Sequence, residues 1–444
     1  MAGGWSVRRR DLLTGAGAAL LGTAPLSACT ARPVRRGPPA LVAEVTRLLA
    51  ARGRALAAGD VEAAAAGCAP ASAGARAELR RADTAAVRAG LTSWSVDVEG
   101  VDEGVEGGGD RDARVRGRLR VRVVGEGREV AGPWSTALVR RDGAWALALP
   151  DAAGAPHPWD LGDVRAHRVP GGVVLLVRPG HDVDAAADEA AGRVAAEAAE
   201  DLPAATARVD AAWGPDWPRG TAVVVVPTTA LAARLAGLDP RRAAALDAVA
   251  VGQDAALPDG APAGVRVVLA ADRFARLTRA GRTATLTHEL VHVATRATAG
   301  ARPAADGLRP VPRWLSEGCA DHLARLGLDV PAAALAAPLL RAVAAGAAPA
   351  VPADEDFEAT GARLQVAYAA AWTLVTSAAR RAGTPAVTAL QRRLGTAPGR
   401  GGEPAAPLAE RLDGACRATL GTGWADVQRT WRADVAGGLV GWGP

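Results

Sequence analysis

The chain has 444 residues, too many for one ordinary domain, so two or three are expected. Hydrophobic residues make up 49% and charged residues 22%, a globular balance. All 52 basic residues are Arg, and with 47 acidic residues interspersed among them the net charge is only +5. That pattern describes a solvated surface and excludes a basic nucleic-acid stripe. The chain also lacks Lys, Ile and Asn and is rich in Ala, as a GC-rich genome dictates.

In chain order, the first element is an export signal. Arg8 to Arg10 precede an apolar run, Leu12 to Leu21, and then small residues, which is the order of a cleaved secretory leader. The run is too short for a permanent membrane span. "RRDLL" resembles the twin-arginine signal, with Leu12 where that family usually has Phe. "LSAC", Leu26 to Cys29, resembles the bacterial lipobox, which implies removal of residues 1–28, a diacylglycerol on Cys29 and anchoring at the outer face of the cell membrane. The alternative is a plain cleavable leader. Beyond Cys29, three thiols remain: Cys68, Cys319 and Cys416. Outside the cytoplasm thiols tend to pair, and an odd number leaves one free. Cys319–Cys416 is one pairing, and would tie two distant segments together. No other stretch reads as transmembrane.

Residues 29–40 form a Pro- and Arg-rich tether. A helix follows from Leu41 to about Ala58, with Leu41, Val45, Leu48 and Leu49 on one face, and more Ala-rich helix runs to about Arg88. Strands come next. "RVRGRLRVRVV", Arg114 to Val124, alternates Arg with small or apolar residues, predicting one buried and one charged face. The Arg row suits an anion or, more plainly, the wet face of a sheet. "TALVRRDGAWALAL" predicts a hairpin turning at Asp142-Gly143. Helices followed by an antiparallel sheet make residues 41–150 an α+β domain, similar in pattern to cystatin-like or nuclear-transport-factor-like rolls. Residues 151–164 read as a linker.

From residue 165 to about 440 a second domain alternates strands and helices and then becomes helical. Its strands are "GGVVLLVRPG", Thr221 to Pro227, and Gly264 to Ala270, with a helix predicted from about Val183 to Asp201. At its centre stands "THELVHVAT", residues 287–295. Residues four apart lie one turn apart on one helix face, so His288 and His292 can direct two imidazoles at one metal. Glu289, rotated by roughly 100° from His288, flanks the site. This is what metal-assisted hydrolysis needs: nitrogen ligands, an open position for water, and a carboxylate to carry the proton. Leu286, Leu290, Val291 and Val293 predict that the helix is buried, where His and Glu without partners are costly.

The third ligand separates the classes. The metzincin continuation is excluded, because Thr295 and Thr298 stand where that pattern needs Gly and His. Downstream, "VPRWLSEGCADHLA", residues 311–324, carries Glu317 and, one turn later, Asp321. Together the two motifs resemble the gluzincins, zinc metallopeptidases of the MA clan with HExxH and a later Glu. The resemblance implies that His288, His292 and Glu317 bind Zn2+, that Glu289 is the general base, and that Asp321 orients a zinc-bound imidazole. It implies a zincin-like fold and a peptide or protein substrate. Where the family often has an aromatic this chain has His322, read as surface or pocket wall. Tyr368, the only tyrosine, lies in the helix that follows the motif in this family. It is either an oxyanion donor or a core residue. By the same analogy, strand 264–270 is the sheet edge that pairs with extended substrate. The leading expectation is thus an exported, lipid-anchored zinc metallopeptidase. Its rivals are a non-catalytic zinc-binding scaffold lipoprotein and a hydrolase of non-peptide amides. Nothing in the sequence bears on oligomeric state.

Overall fold

A computed structural model describes residues 38–70, 72–103, 113–148, 156–180, 183–239, 247–252, 263–298, 311–396 and 407–442. The leader, Cys29 and most of the tether lie outside these residues. The architecture is mixed α+β with two sheets.

The first sheet rests on three helices, α1 (Pro39–Ala58), α2 (Val61–Ala66) and α3 (Ala73–Arg88). Pro39 and Ala40 already belong to the first turn of α1, so the tether ends earlier than expected. Proline suits that position, because its missing N–H has no helical partner there. Strands β1 (Leu91–Glu103), β2 (Ala113–Val123), β3 (Val130–Arg141) and β4 (Ala144–Leu147) form an antiparallel meander in that order. Asp142 and Gly143 turn the last hairpin with φ of 51° and 81°, left-handed values that Asp tolerates and Gly adopts freely. Leu41, Val45 and Leu49 of α1 pack on Val101, Val115 and Leu138 of the sheet. The Arg row of β2 is the wet face, and carboxylates answer it: Arg116 meets Asp102 at 2.7 Å, Arg118 meets Glu99 at 3.1 Å, and Arg120 meets Glu129 at 2.6 Å.

The expected linker is shorter than 151–164. Pro158–Leu161 form a helical turn, α4, with Trp159 buried, and a strand already begins at Asp163. That strand, β5 (Asp163–Val169), opens a second sheet with β6 (Gly172–Arg178), β7 (Thr221–Val226), β8 (Ala248–Val251) and β9 (Arg266–Ala270), in the order β5-β6-β7-β9-β8. The central three strands run parallel, and both edges pair antiparallel. The central three are buried on both faces, which is why they read as nearly continuous apolar runs. Strand 264–270 is therefore interior, contrary to the edge position expected of it. The edge is β8, four residues too short to be read as a strand from its pattern.

Helix α5 (Ala185–Trp213) covers one face, and runs a further 12 residues beyond its expected end at Asp201. Pro203 removes one backbone donor, but Leu202, Ala205, Val209 and Trp213 continue the buried stripe, and that packing outweighs the loss. Helix α6 (Thr229–Ala236) packs on the opposite face. After the turn α7 (Ala271–Phe274), helix α8 (Arg279–Thr298) lies against α5, with Leu286, Leu290 and Val293 in their shared core. Helix α9 (Arg313–Arg325) follows. The remainder is helical: α10 (Ala332–Leu335), α11 (Ala337–Ala344), a 3-10 turn Asp354–Glu358, α12 (Gly361–Ala382), α13 (Thr384–Gly395), α14 (Leu408–Leu420) and α15 (Trp424–Ala436). Helices α9 and α12 touch at Gly318, where a Cβ would stand 2.5 Å from the Ala371 carbonyl. Cys68, Cys319 and Cys416 are all free thiols. The expected Cys319–Cys416 pairing is not formed, and the Cys319 thiol on α9 instead meets the Val387 carbonyl of α13 at 3.9 Å.

One buried ion pair joins the two sheets. Glu126, in the β2–β3 loop, takes both Nε (2.6 Å) and Nη2 (3.0 Å) of Arg266 on β9, and both side chains are almost inaccessible. Around it, Gly127 donates to the Gly220 carbonyl and Gly264 donates to that of Glu129. Removing one partner of a buried pair strands the other charge. Glu126→Gln is therefore expected to cost about 3–5 kcal/mol in urea unfolding of the full chain. A loss below about 1 kcal/mol would mean that the pair is not buried in solution.

Candidate metal centre

Helix α8 brings His288, Glu289 and His292 into the interior, each at most 2% exposed. The helix tolerates its threonines because they bond back to it: Thr287 Oγ1 donates to the Thr283 carbonyl and Thr295 Oγ1 to that of Val291. Helix α9 crosses close by and contributes Glu317 and Asp321, both fully buried. Gly318, the residue after Glu317, faces away from α8 and lets α9 pack closely on α12.

Three ligand atoms converge. His288 Nε2 and His292 Nε2 stand 3.1 Å apart, and Glu317 Oε2 lies 3.4 Å from each. Atoms bound about 2.0–2.1 Å from a tetrahedral ion are separated from one another by about 3.3 Å, so the triangle matches one face of such a tetrahedron. Neither Glu317 oxygen has a hydrogen-bond partner among the described residues, an expensive condition for a buried carboxylate unless a cation satisfies it. His288, His292 and Glu317 thus form a buried group able to hold a metal ion.

The surroundings orient this group. His288 Nδ1 donates to Asp321 Oδ1 at 2.9 Å, which turns Nε2 toward the centre. Asp321 Oδ2 accepts from Arg325 Nη2 at 2.7 Å. Burial opposes charge on His288, but the carboxylates of Asp321 and Glu317 outweigh it and raise the imidazole to about 10. Burial would raise the Glu317 carboxyl, yet the two imidazoles pull it down to about 2.

Glu289 behaves differently. Burial raises its pKa, against the nearby imidazoles and a hydrogen bond from the backbone of Ala250 on β8, and its Oε2 has no partner among the described residues. Tyr368, on α12, packs edge-on against Phe357 with ring centroids 5.2 Å apart. Burial first, and then the charge of Glu317, hold its hydroxyl well above the ordinary range, so it remains a donor. His322 is neither surface nor ligand. It is buried, with Nδ1 3.1 Å from Thr376 Oγ1 and Nε2 3.0 Å from Thr384 Oγ1, and burial lowers it to about 4.

Sequence reasoning missed Arg325 and Ala250. The first was within reach, since Arg325 stands one helical turn after Asp321. The second acts through its backbone, which leaves no trace in side-chain pattern. Cys29 lies outside the described residues, among which no helix is long and apolar enough to cross a membrane.

No family model matches the chain, and no curated protein matches it significantly.

Two outcomes are expected. Asp321→Asn keeps all three ligands but loses the carboxylate that orients His288, so zinc affinity in a competitive chelator titration falls about 10–100-fold. An unchanged affinity would remove Asp321 from the centre. A cation must also displace the proton held by His288. Affinity is then expected to rise with pH, by about tenfold per unit below the raised pKa, with about one proton released per ion in calorimetry across buffers.

Proposed function

We propose that the protein is a zinc metallopeptidase of gluzincin type, exported and anchored by a lipid on Cys29. In this reading residues 165–440 are the zincin-like peptidase domain and residues 41–150 a cystatin-like or nuclear-transport-factor-like roll. The observation that carries it is Glu289. A structural zinc site closes with four protein ligands and needs no base. Among the described residues the group has three ligands, and beside them a buried carboxylate with an oxygen to spare.

A zinc ion held by His288, His292 and Glu317 would act as a Lewis acid toward water and the scissile carbonyl. Glu289 takes the proton from the attacking water and hands it to the leaving amine. Its raised pKa suits it to hold that proton between the two events. Asp321, steadied by Arg325, keeps His288 in the tautomer that presents Nε2. The Tyr368 hydroxyl is assigned to the oxyanion that develops as the carbonyl becomes tetrahedral. Strand β8 borders this centre through Ala250 and, as the terminal strand of the sheet, takes the place first assigned to strand 264–270.

The deciding experiment compares peptide hydrolysis by the zinc-loaded wild type and by Glu289→Gln on a mixed peptide library read by mass spectrometry. The variant is expected to retain its zinc and to lose about 10²–10⁴ in rate. Equal rates would remove Glu289 from the chemistry. A wild type that binds zinc and cleaves no peptide would favour the scaffold reading. For the anchor, Cys29→Ser is expected to abolish incorporation of labelled fatty acid in cells, and continued labelling would contradict it.

A further inference from the structure

Arg313 is a buried charge that the proposed chemistry does not use and the fold uses only in part. It opens α9, is 1% exposed, and precedes Glu317 by four residues, so the two side chains share one face of the helix. Its partners are few. Nη1 reaches the Asp354 carbonyl and Glu358 Oε1, each at 3.5 Å, while Nε and Nη2 have no hydrogen-bond partner among the described residues. The guanidinium lies over the ring of Phe357, 5.4 Å from its centroid, and Phe357 packs edge-on against Tyr368. The Tyr368 hydroxyl feels both the Arg313 and the Glu317 charges. On the other side Arg313 meets Glu358, whose side chain is 53% exposed. Arg313 thus stands one helical turn before Glu317, with Nη1 directed at a partly exposed carboxylate and Nε and Nη2 buried and idle among the described residues.

A buried guanidinium with two idle donors is costly. Its planar fork is shaped to take a carboxylate through two parallel N–H···O bonds, and no carboxylate of the described residues does so at Nε and Nη2. We infer that Arg313 is a substrate-recognition residue that receives a carboxylate of the peptide, either its C-terminus or an acidic side chain next to the scissile bond. This rests on the peptidase reading and narrows its substrates to anionic peptides.

The test measures binding to the zinc-loaded Glu289→Gln chain by calorimetry, with turnover by the wild type followed in parallel. Two matched peptide pairs distinguish the sources: free acid against C-terminal amide, and internal Glu against Gln. Glutarate, a dicarboxylate without a peptide bond, is a third probe. In one pair the anionic member is expected to bind about 10- to 100-fold more tightly. Arg313→Met, made in the same chain, brings that ratio to about one and weakens glutarate binding about tenfold or more. Arg313→Lys retains part of the preference and shows that the charge, rather than the fold, is responsible. Zinc content and circular dichroism verify that each variant is folded.

Wild-type cleavage with equal affinity within both pairs overturns the carboxylate subsite and leaves the peptidase reading standing. Absence of cleavage, with glutarate binding that depends on Arg313, overturns the peptidase reading and keeps the anion site. Glutarate binding indifferent to Arg313, with no pair discriminated, overturns the inference outright.

Discussion

The carboxylate of Glu317 sits in the interior with no hydrogen-bond donor to meet it among the described residues, and the surrounding structure is organised around that fact. A fully buried, ionised carboxylate is among the most unfavourable groups a protein can hold. Two imidazoles one helical turn apart offset it, and a divalent cation among the three would do so far better. Everything near the site serves this arrangement. Asp321 fixes one imidazole, Arg325 fixes Asp321, and Gly318 lets α9 approach α12 closely.

The two halves of the chain are joined by a second buried charge pair, on the strand beside β8. Arg266 belongs to β9 and its carboxylate partner to the β2–β3 loop of the first sheet. Strand β9 in turn carries β8, whose backbone meets Glu289. The first sheet is therefore linked, through one strand and its neighbour, to the strand that borders the candidate site. This gives the N-terminal part a structural task.

The centre was legible because its logic is local. His288 and His292 lie one helical turn apart on one face with Glu289 flanking them, and Glu317 and Asp321 stand one turn apart in a second helix, where the resemblance to the gluzincins pointed to them. The buried strands and the Asp142-Gly143 hairpin were legible for the same reason. What escaped depends on partners far away in the chain. Glu126 and Arg266 are 140 residues apart, and neither looks unusual by itself. The sheet order that puts β8 at the edge follows from packing and leaves no mark in four apolar residues. Helix α5 outran its expected end because tertiary burial overrode a proline. The thiols of Cys319 and Cys416 share one core without pairing, which spacing does not encode.

The most direct measurement is the zinc content of the purified chain from residue 30 onward, by mass spectrometry of the metal-loaded and dialysed protein, for the wild type and Glu317→Ala. One zinc per chain in the wild type and none in the variant is the predicted result. A wild type that binds no zinc, or a variant that binds it as well, would contradict the three-ligand centre.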